Sequence, residues 1–394
     1  MKIFQVTLKS KNKQLKERDN FVGASFFFNI TDIPQMDSTT GRKRRVSRHI
    51  SELSNNDAED REQVYSIDSN GSNLEYHDDY GFRITAREKL AESNYKRLHT
   101  PSYHFTHRWM DILSDWDQVP LKKKKKYCRM GSPQDIRGKV WQLLLGTFNI
   151  QNTPGKWGVY IRLKSKPLAN NISDVIERDL GRTFPTQIMF EDGTKNNGRD
   201  ILRNILHAYA NYNTQVGYCQ GMNFLVATLL LQISDEESTF WAFCALMDNQ
   251  LYQMKSLYEP GFPQLHCCFY VLCKLLKLQN KKVYKRMKEL NIEGVHFATH
   301  WFLSIFTYQF NFRLISRIWD MFLCEGWKPI YRIALALLSM EKEQLLAQHS
   351  DSDMLMVLST IQEGKDPDEL LKNALSVKFR TKKVHKYIKK FQNR

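Results

Sequence analysis

Apolar side chains recur at helical spacing through most of this chain. From Tyr103 onward, Phe105, Trp109, Ile112, Leu113 and Trp116 fall on one face of a 3.6-residue period, and Pro120 closes the segment. Between Ser132 and about Ala347 the pattern repeats. Ile136, Val140, Leu143 and Leu144 form one stripe, and Ile201, Leu202, Ile205, Leu206 and Tyr209 form another. The runs Met222 to Leu231 and Tyr331 to Met340 are nearly continuously apolar, as helices buried on all sides would be. The first run is about half the length a membrane-spanning helix needs, so burial in a protein core accounts for it. Strands do not alternate with helices, no repeat recurs at a fixed period, and the expected fold class is all-α with many helices.

The flanks differ in character. Residues 1–35 form an N-terminal segment in which the run from Phe21 to Ile33, with GASFFFNITDI, offers candidate short strands. Residues 36–100 are rich in Ser, Asn, Asp, Arg and Glu and read as a polar flexible linker, because so few apolar groups repay little of the entropy lost on ordering. Within it, RKRRVSRHIS places Ser47 and Ser51 after clustered arginines, making both candidate phosphorylation sites for a kinase with an acidic groove. Residues 101–350 hold the helical domain and residues 351–394 a basic amphipathic C-terminal tail. In that tail, Asp366 to Lys390 reads as a helix-like stretch that either lies on an anionic membrane or covers an acidic flank of its own domain.

Charge and cysteine content narrow the classes. The formal net charge of +16 suits nucleic acid, anionic lipid or an acidic protein equally, and does not choose among them. The aromatic residues are arranged as helical cores rather than interleaved with the basic runs, which argues against nucleic acid. Lys122 to Lys126 form a run that must be solvated, and so mark a surface facing phospholipid or an acidic partner. No secretory signal is visible after Met1, and the seven cysteines contain no CxxC pair. Cys267, Cys268, Cys273 and His266 sit in an apolar helical run, where buried thiols explain them better than a metal. The usage fits a reducing, cytoplasmic setting. There is no GxxxxGK[ST] or GxGxxG segment, so no nucleotide or other cofactor is expected to be bound by this chain itself.

Three segments carry a more specific signal. They are DIRGKVWQLLLG, with Arg137, Gly138 and Trp141; VIERDLGRTFP, with Ile176, Asp179, Arg182, Thr183, Phe184 and Pro185; and GYCQGMN, with Tyr218, Gln220, Gly221, Met222 and Asn223. In order and internal spacing they match the RGxxW, IxxDxxRTFP and YxQGMN signatures. On these residues the chain resembles the TBC domain of Rab GTPase-activating proteins, over roughly Ser132 to Ala347. THWFLSIF and RIWDMFLCEG, with Trp301, Trp319, Asp320 and Gly326, resemble its later helices.

The resemblance implies a function in trans. Small GTPases hold GTP and magnesium but hydrolyse slowly, because charge developing on the γ-phosphate is poorly compensated and the attacking water poorly held. A guanidinium suits the first need and a carboxamide the second. The resemblance assigns these roles to Arg182 and Gln220, the latter standing in for the glutamine of the GTPase. GTP and Mg2+ would come with that partner, and the activator itself is expected to hydrolyse none. Pro185 disfavours helix at Phe184, so Arg182 is expected near a helix end, free to project. Asp179 is read as orienting an arginine or tying helices together, Tyr218 as positioning the Gln220 segment, and Arg137 with Trp141 as an architectural joint. Peripheral residence on endomembranes follows from the resemblance. The rival is a non-catalytic small-GTPase-binding or scaffold protein on the same fold. Because every motif lies in the helical core, a chain beginning near Tyr103 is expected to suffice for activity.

Overall fold

The computed structural model describes residues 75–99, 102–193 and 197–394. Phe21 to Ile33, Ser47 and Ser51 lie outside the described residues. Among the described residues the architecture is all-α apart from one short hairpin. β1 (Tyr76–His77) pairs antiparallel with β2 (Arg83–Ile84), and α1 (Ala86–His99) follows. A reciprocal cap starts α1: the Glu88 amide donates to the Thr85 hydroxyl at 3.2 Å, and the Thr85 amide donates to the Glu88 carboxylate at 2.8 Å. Residues 76–99, assigned from composition to a flexible linker, are therefore ordered. Tyr80 and Phe82 supply the reason, because both pack against the main core.

The chain continues through α2 (Tyr103–Ser114), α3 (Leu121–Met130), α4 (Gln134–Leu145), α5 (Thr147–Gln151), α6 (Val159–Lys164) and α7 (Asn170–Leu180). Next come α8 (Gly198–Tyr212), α9 (Met222–Ile233), α10 (Glu236–Asp248), α11 (Met254–Tyr258), α12 (Pro263–Gln279) and α13 (Lys281–Glu289). A 3-10 turn (Gly294–His296) leads to α14 (Thr299–Leu303), α15 (Phe312–Glu325), α16 (Trp327–Met340) and α17 (Lys342–Ala347). The last helices are α18 (Asp351–Ser359), α19 (Pro367–Ser376) and α20 (Thr381–Gln392).

The two most apolar runs become α9 and α16, buried along nearly their whole length. α9 sits among α4, α8 and α10. Its approach to α4 depends on Gly138, where a Cβ would fall 2.1 Å from the carbonyl oxygen of Gln232. On the same helix Arg137 and Trp141 converge on Asp320 of α15. The Trp141 indole donates to its carboxylate at 2.7 Å, the Ser132 amide and hydroxyl each at 2.8 Å, and the Arg137 Nε at 3.4 Å. Asp320 is fully buried, so this carboxylate ties α4, α15 and the turn before α4 together.

The C-terminal region departs from a single helical tail. α19 packs on α16 and α20 on α12, with Leu370, Leu371, Ala374, Phe379 and Val384 buried. The helix breaks between Ser376 and Thr381. The flank that α20 covers is basic rather than acidic, with Lys274, Lys277 and Lys281 facing it across a groove. Among the described residues no helix is long and apolar enough to cross a membrane. All seven cysteines are free thiols, and no group of three or more potential ligands could hold a metal among the described residues.

Candidate functional site

α7 buries Ile176, Asp179 and Leu180 on one face and stops at Leu180. The Thr183 hydroxyl returns to the carbonyl of Asp179 at 2.6 Å, closing the end of the helix. Arg182 thus stands on the turn beyond the helix, with about a third of its side chain exposed (34%). It does not project freely. Its guanidinium is hydrogen-bonded to Asp179 Oδ1, whose own side chain is only 2% exposed.

The turn is fixed by its next residue. Phe184 has φ +45°, a left-handed conformation that costs a bulky side chain on the order of 1–3 kcal/mol. Burial holds it there: its ring lies edge-on to Phe82 and to Phe224, with centroids 5.4 Å away in each case. The hairpin backs the segment from below. Arg83 N donates to Thr186 O at 2.7 Å, Ile188 N to Gly81 O at 2.9 Å, and the Gln187 amide to Tyr80 O at 2.9 Å. Sequence reasoning missed this support. Its signal was the alternation of Tyr80 and Phe82 about Gly81, inside an otherwise polar stretch.

The second functional segment leads into α9. Gly217 (φ +61°) and Gly221 (φ +105°) adopt backbone conformations suited to glycine, and Gln220 lies between them. The Tyr218 hydroxyl donates to Asp179 Oδ2 at 2.6 Å, so the carboxylate that holds Arg182 also holds this loop. Asn223 completes the joint: its amide donates to the Thr183 hydroxyl at 2.7 Å and its oxygen accepts from Gly221 N at 3.0 Å. Thr183 and Asn223 belonged to the matched motifs without having been given a task. The Gln220 Nε2 is buried and has no hydrogen-bond partner among the described residues.

Burial raises the Asp179 carboxyl above its usual range, against the opposing pull of Tyr218 and Arg182. Burial, then the Asp179 charge, raises the Tyr218 phenol. The Cys219 thiol is pushed up to about 12, chiefly by burial, and is a poor nucleophile. His207 is lowered by burial. This chemistry supplies a positioned cation and a carboxamide, without a nucleophile and base. Arg137 and Trp141 bond to Asp320, Tyr80 and Ser132, and none of these contacts reaches Arg182, Asp179 or Gln220.

One exposed aromatic borders the site. Beyond α14, Ile305 (φ +50°) and Phe306 (φ +63°) turn the chain through two successive left-handed residues. Tyr308 follows, 56% exposed, its ring edge-on to Phe224 at 5.4 Å. Leu303, at the end of α14, lies against Gly221.

An all-α domain with a carboxylate-tethered arginine beside a glutamine loop defines the class of protein. Residues 134–346 match the Rab-GTPase-TBC domain, and the chain belongs to this family. It is 30% identical over 306 residues to the human ecotropic viral integration site 5 protein homolog, covering 76% of this chain and 36% of that protein. It is 34% identical over 242 residues to the Rab GTPase-activating protein tbc-11 of Caenorhabditis elegans, covering 60% of this chain and 25% of that one. The chain thus spans roughly a quarter to a third of the length of these two relatives. Among solved structures, the Chlamydomonas flagellar RabGAP TBC domain shares the fold, with a TM-score of 0.62 at 24% identity over 76% of this chain and 100% of that one.

Proposed function

We propose that this chain accelerates GTP hydrolysis by a Rab-type small GTPase. The observation that carries the reading is the single buried carboxylate of Asp179, which bonds to Arg182 on one oxygen and to the Tyr218–Gln220 loop on the other. One anchor thereby holds in register the two groups such a partner lacks. Arg182 offsets charge developing on the γ-phosphate. Gln220 has an unused donor in Nε2 and a carboxamide oxygen suited to hold the attacking water. Leaving that donor unpaired costs about 1–3 kcal/mol, which a backbone carbonyl of the docked GTPase would recover. GTP and Mg2+ arrive with the GTPase, and the basic helices place the complex on an anionic membrane surface.

The test is single-turnover phosphate release from GTP-loaded Rab proteins at saturating activator. Arg182→Ala is expected to lower the stimulated rate by on the order of 10³- to 10⁵-fold while the protein stays folded and still docks. Lys restores little, lacking the planar fork. Gln220→Ala impairs the rate, whereas mutating the glutamine of the GTPase leaves much of it intact. Undiminished stimulation by folded Arg182→Ala refutes the arginine role, and strong dependence on the GTPase glutamine with none on Gln220 refutes the other. A chain that binds Rab proteins but stimulates none is the non-catalytic binding protein.

A further inference from the structure

The molecule has a second, smaller core. Trp109 and Ile112 of α2 and Tyr127 and Cys128 of α3 pack there with Val140 of α4 and Cys324 of α15. Two thiols meet inside it. Cys128 is fully buried and Cys324 is 5% exposed, and the Cys128 thiol donates a hydrogen bond to the Cys324 sulfur. The next residue on each helix fixes their register: Arg129 grips Glu325 through Nε and Nη2 at 2.6 Å each, across 196 residues of sequence. On the other side of Cys324 in sequence, the Leu323 carbonyl accepts from the Tyr252 hydroxyl at 2.6 Å, which pins this end of α15.

The seven thiols are not alike. Burial pushes Cys267 up to about 11 and Cys219 up to about 12, and it raises Cys244, Cys268 and Cys273 as well. Cys324 alone is held below the ordinary thiol range. The hydrogen bond from Cys128 is the main cause, and the charges of Lys125 and Lys124 add to it, against burial and Glu325. Those two lysines stand one turn before Cys128 on α3, while both oxygens of the opposing Glu325 are engaged by Arg129. Cys128 moves far upward, because it keeps the proton that the pair shares. One sulfur is thereby a nucleophile, and its neighbour is a proton donor and resolving thiol.

We propose that Cys324 and Cys128 are a modification site oxidised by hydroperoxide, in which Cys324 attacks the peroxide and Cys128 closes a disulfide between α15 and α3. The Cys324 thiolate attacks one oxygen of hydrogen peroxide, the O–O bond breaks, and Cys324 becomes a sulfenic acid. The hydroxide released takes the Cys128 proton and leaves as water. The Cys128 thiolate so formed attacks the sulfenic sulfur and expels a second hydroxide, which solvent protonates. Two thiols thus lose two hydrogens and two electrons, and one peroxide is reduced to two waters. The narrow opening at Cys324 admits an oxidant of this size and excludes a bulky one such as glutathione disulfide. The bridge fastens the small core of α2 and α3 covalently to α15. It shares no residue with the Arg182–Gln220 centre and stands independently of the GTPase reading.

The experiment treats the folded full chain with hydrogen peroxide, blocks the remaining thiols with iodoacetamide, and maps peptides by mass spectrometry without reductant. The expected product is a crosslink joining the Cys128 peptide to the Cys324 peptide, lighter by two hydrogens and reversed by dithiothreitol. The melting midpoint of the oxidised chain should rise by roughly 5 °C, and amide exchange in α3 should slow. Cys128→Ala, lacking the resolving thiol, should instead accumulate a Cys324 sulfenic acid that dimedone captures. Cys324→Ala should lose both products. Should either variant fold poorly, the wild-type map decides alone. A folded wild type that lacks the Cys128–Cys324 bridge at peroxide concentrations that oxidise free cysteine would overturn the proposal. So would a bridge between other thiols such as Cys267 and Cys268, or a Cys128–Cys324 bridge that forms only in the unfolded chain.

Discussion

Asp179→Asn isolates the anchor from the groups it holds. The amide is nearly isosteric and its oxygen still accepts from Tyr218, so the loop carrying Gln220 stays in place while Arg182 loses its charged partner. The expected loss of rate follows from what the carboxylate does: it holds a guanidinium that is otherwise about a third exposed and free to rotate. Confining an arginine side chain costs about 1.5–2 kcal/mol of rotamer freedom. At about 1.4 kcal/mol per decade, the stimulated rate should fall by roughly 10- to 30-fold, well short of the loss expected for Arg182→Ala. Stability should move the other way with pH. Burial raises the Asp179 carboxyl in the folded state, so its contribution is full below the unfolded carboxyl pKa, about 3.9, and declines as pH rises through the folded value. Asn has no such slope. The melting midpoint of the variant relative to wild type should therefore rise from pH 4 toward neutrality. Single-turnover phosphate release and thermal melts across that range give both readouts. A rate loss as large as that of Arg182→Ala, an unchanged rate, or a relative midpoint that falls with pH refutes the reasoning.

Glycine substitutions test the joint between α4 and α9: a Cβ at Gly138 would meet the Gln232 carbonyl at 2.1 Å, so Gly138→Ala should lose stability at or above the upper end of about 1–3 kcal/mol in chemical denaturation. Gly181, beside Arg182, has φ −63° and nothing within 4 Å, so Gly181→Ala should be as stable as wild type or gain about 0.4–1 kcal/mol. If Tyr308 meets the GTPase, Tyr308→Ala should raise KM for the GTPase by about tenfold with kcat unchanged, as loss of an aromatic contact would. An unchanged KM in steady-state hydrolysis places the docking surface elsewhere.

Helices were legible where apolar spacing alone decides them: α9 and α16 fall on the two runs read as buried helices. That Arg182 lies near a helix end was legible too, from Pro185, although the helix stops at Leu180, ahead of the point the proline demands, and leaves the arginine on the turn beyond it. Long-range pairings were not. Arg137 and Asp320 are 183 residues apart, and nothing local marks them as partners. Tyr218 meets Asp179 across 39 residues for the same reason. The hairpin and the C-terminal break were each hidden for a local reason. Tyr80 and Phe82 were diluted by polar neighbours, and the break after Ser376 contains neither Gly nor Pro to interrupt the periodic reading.

The hairpin at residues 76–84 changes where the working unit begins. The matched domain starts at residue 134, yet the loop carrying Arg182 rests on Phe82 and on backbone bonds from Gly81 and Arg83. A chain starting near Tyr103 would keep every motif and lose the floor beneath the arginine. Stiffness of the Arg182 turn is therefore inherited from a stretch that motif comparison does not see. Two relatives with identical signatures can differ in how firmly they present the same guanidinium, and a protease cut ahead of the helical core would loosen it without altering one signature residue.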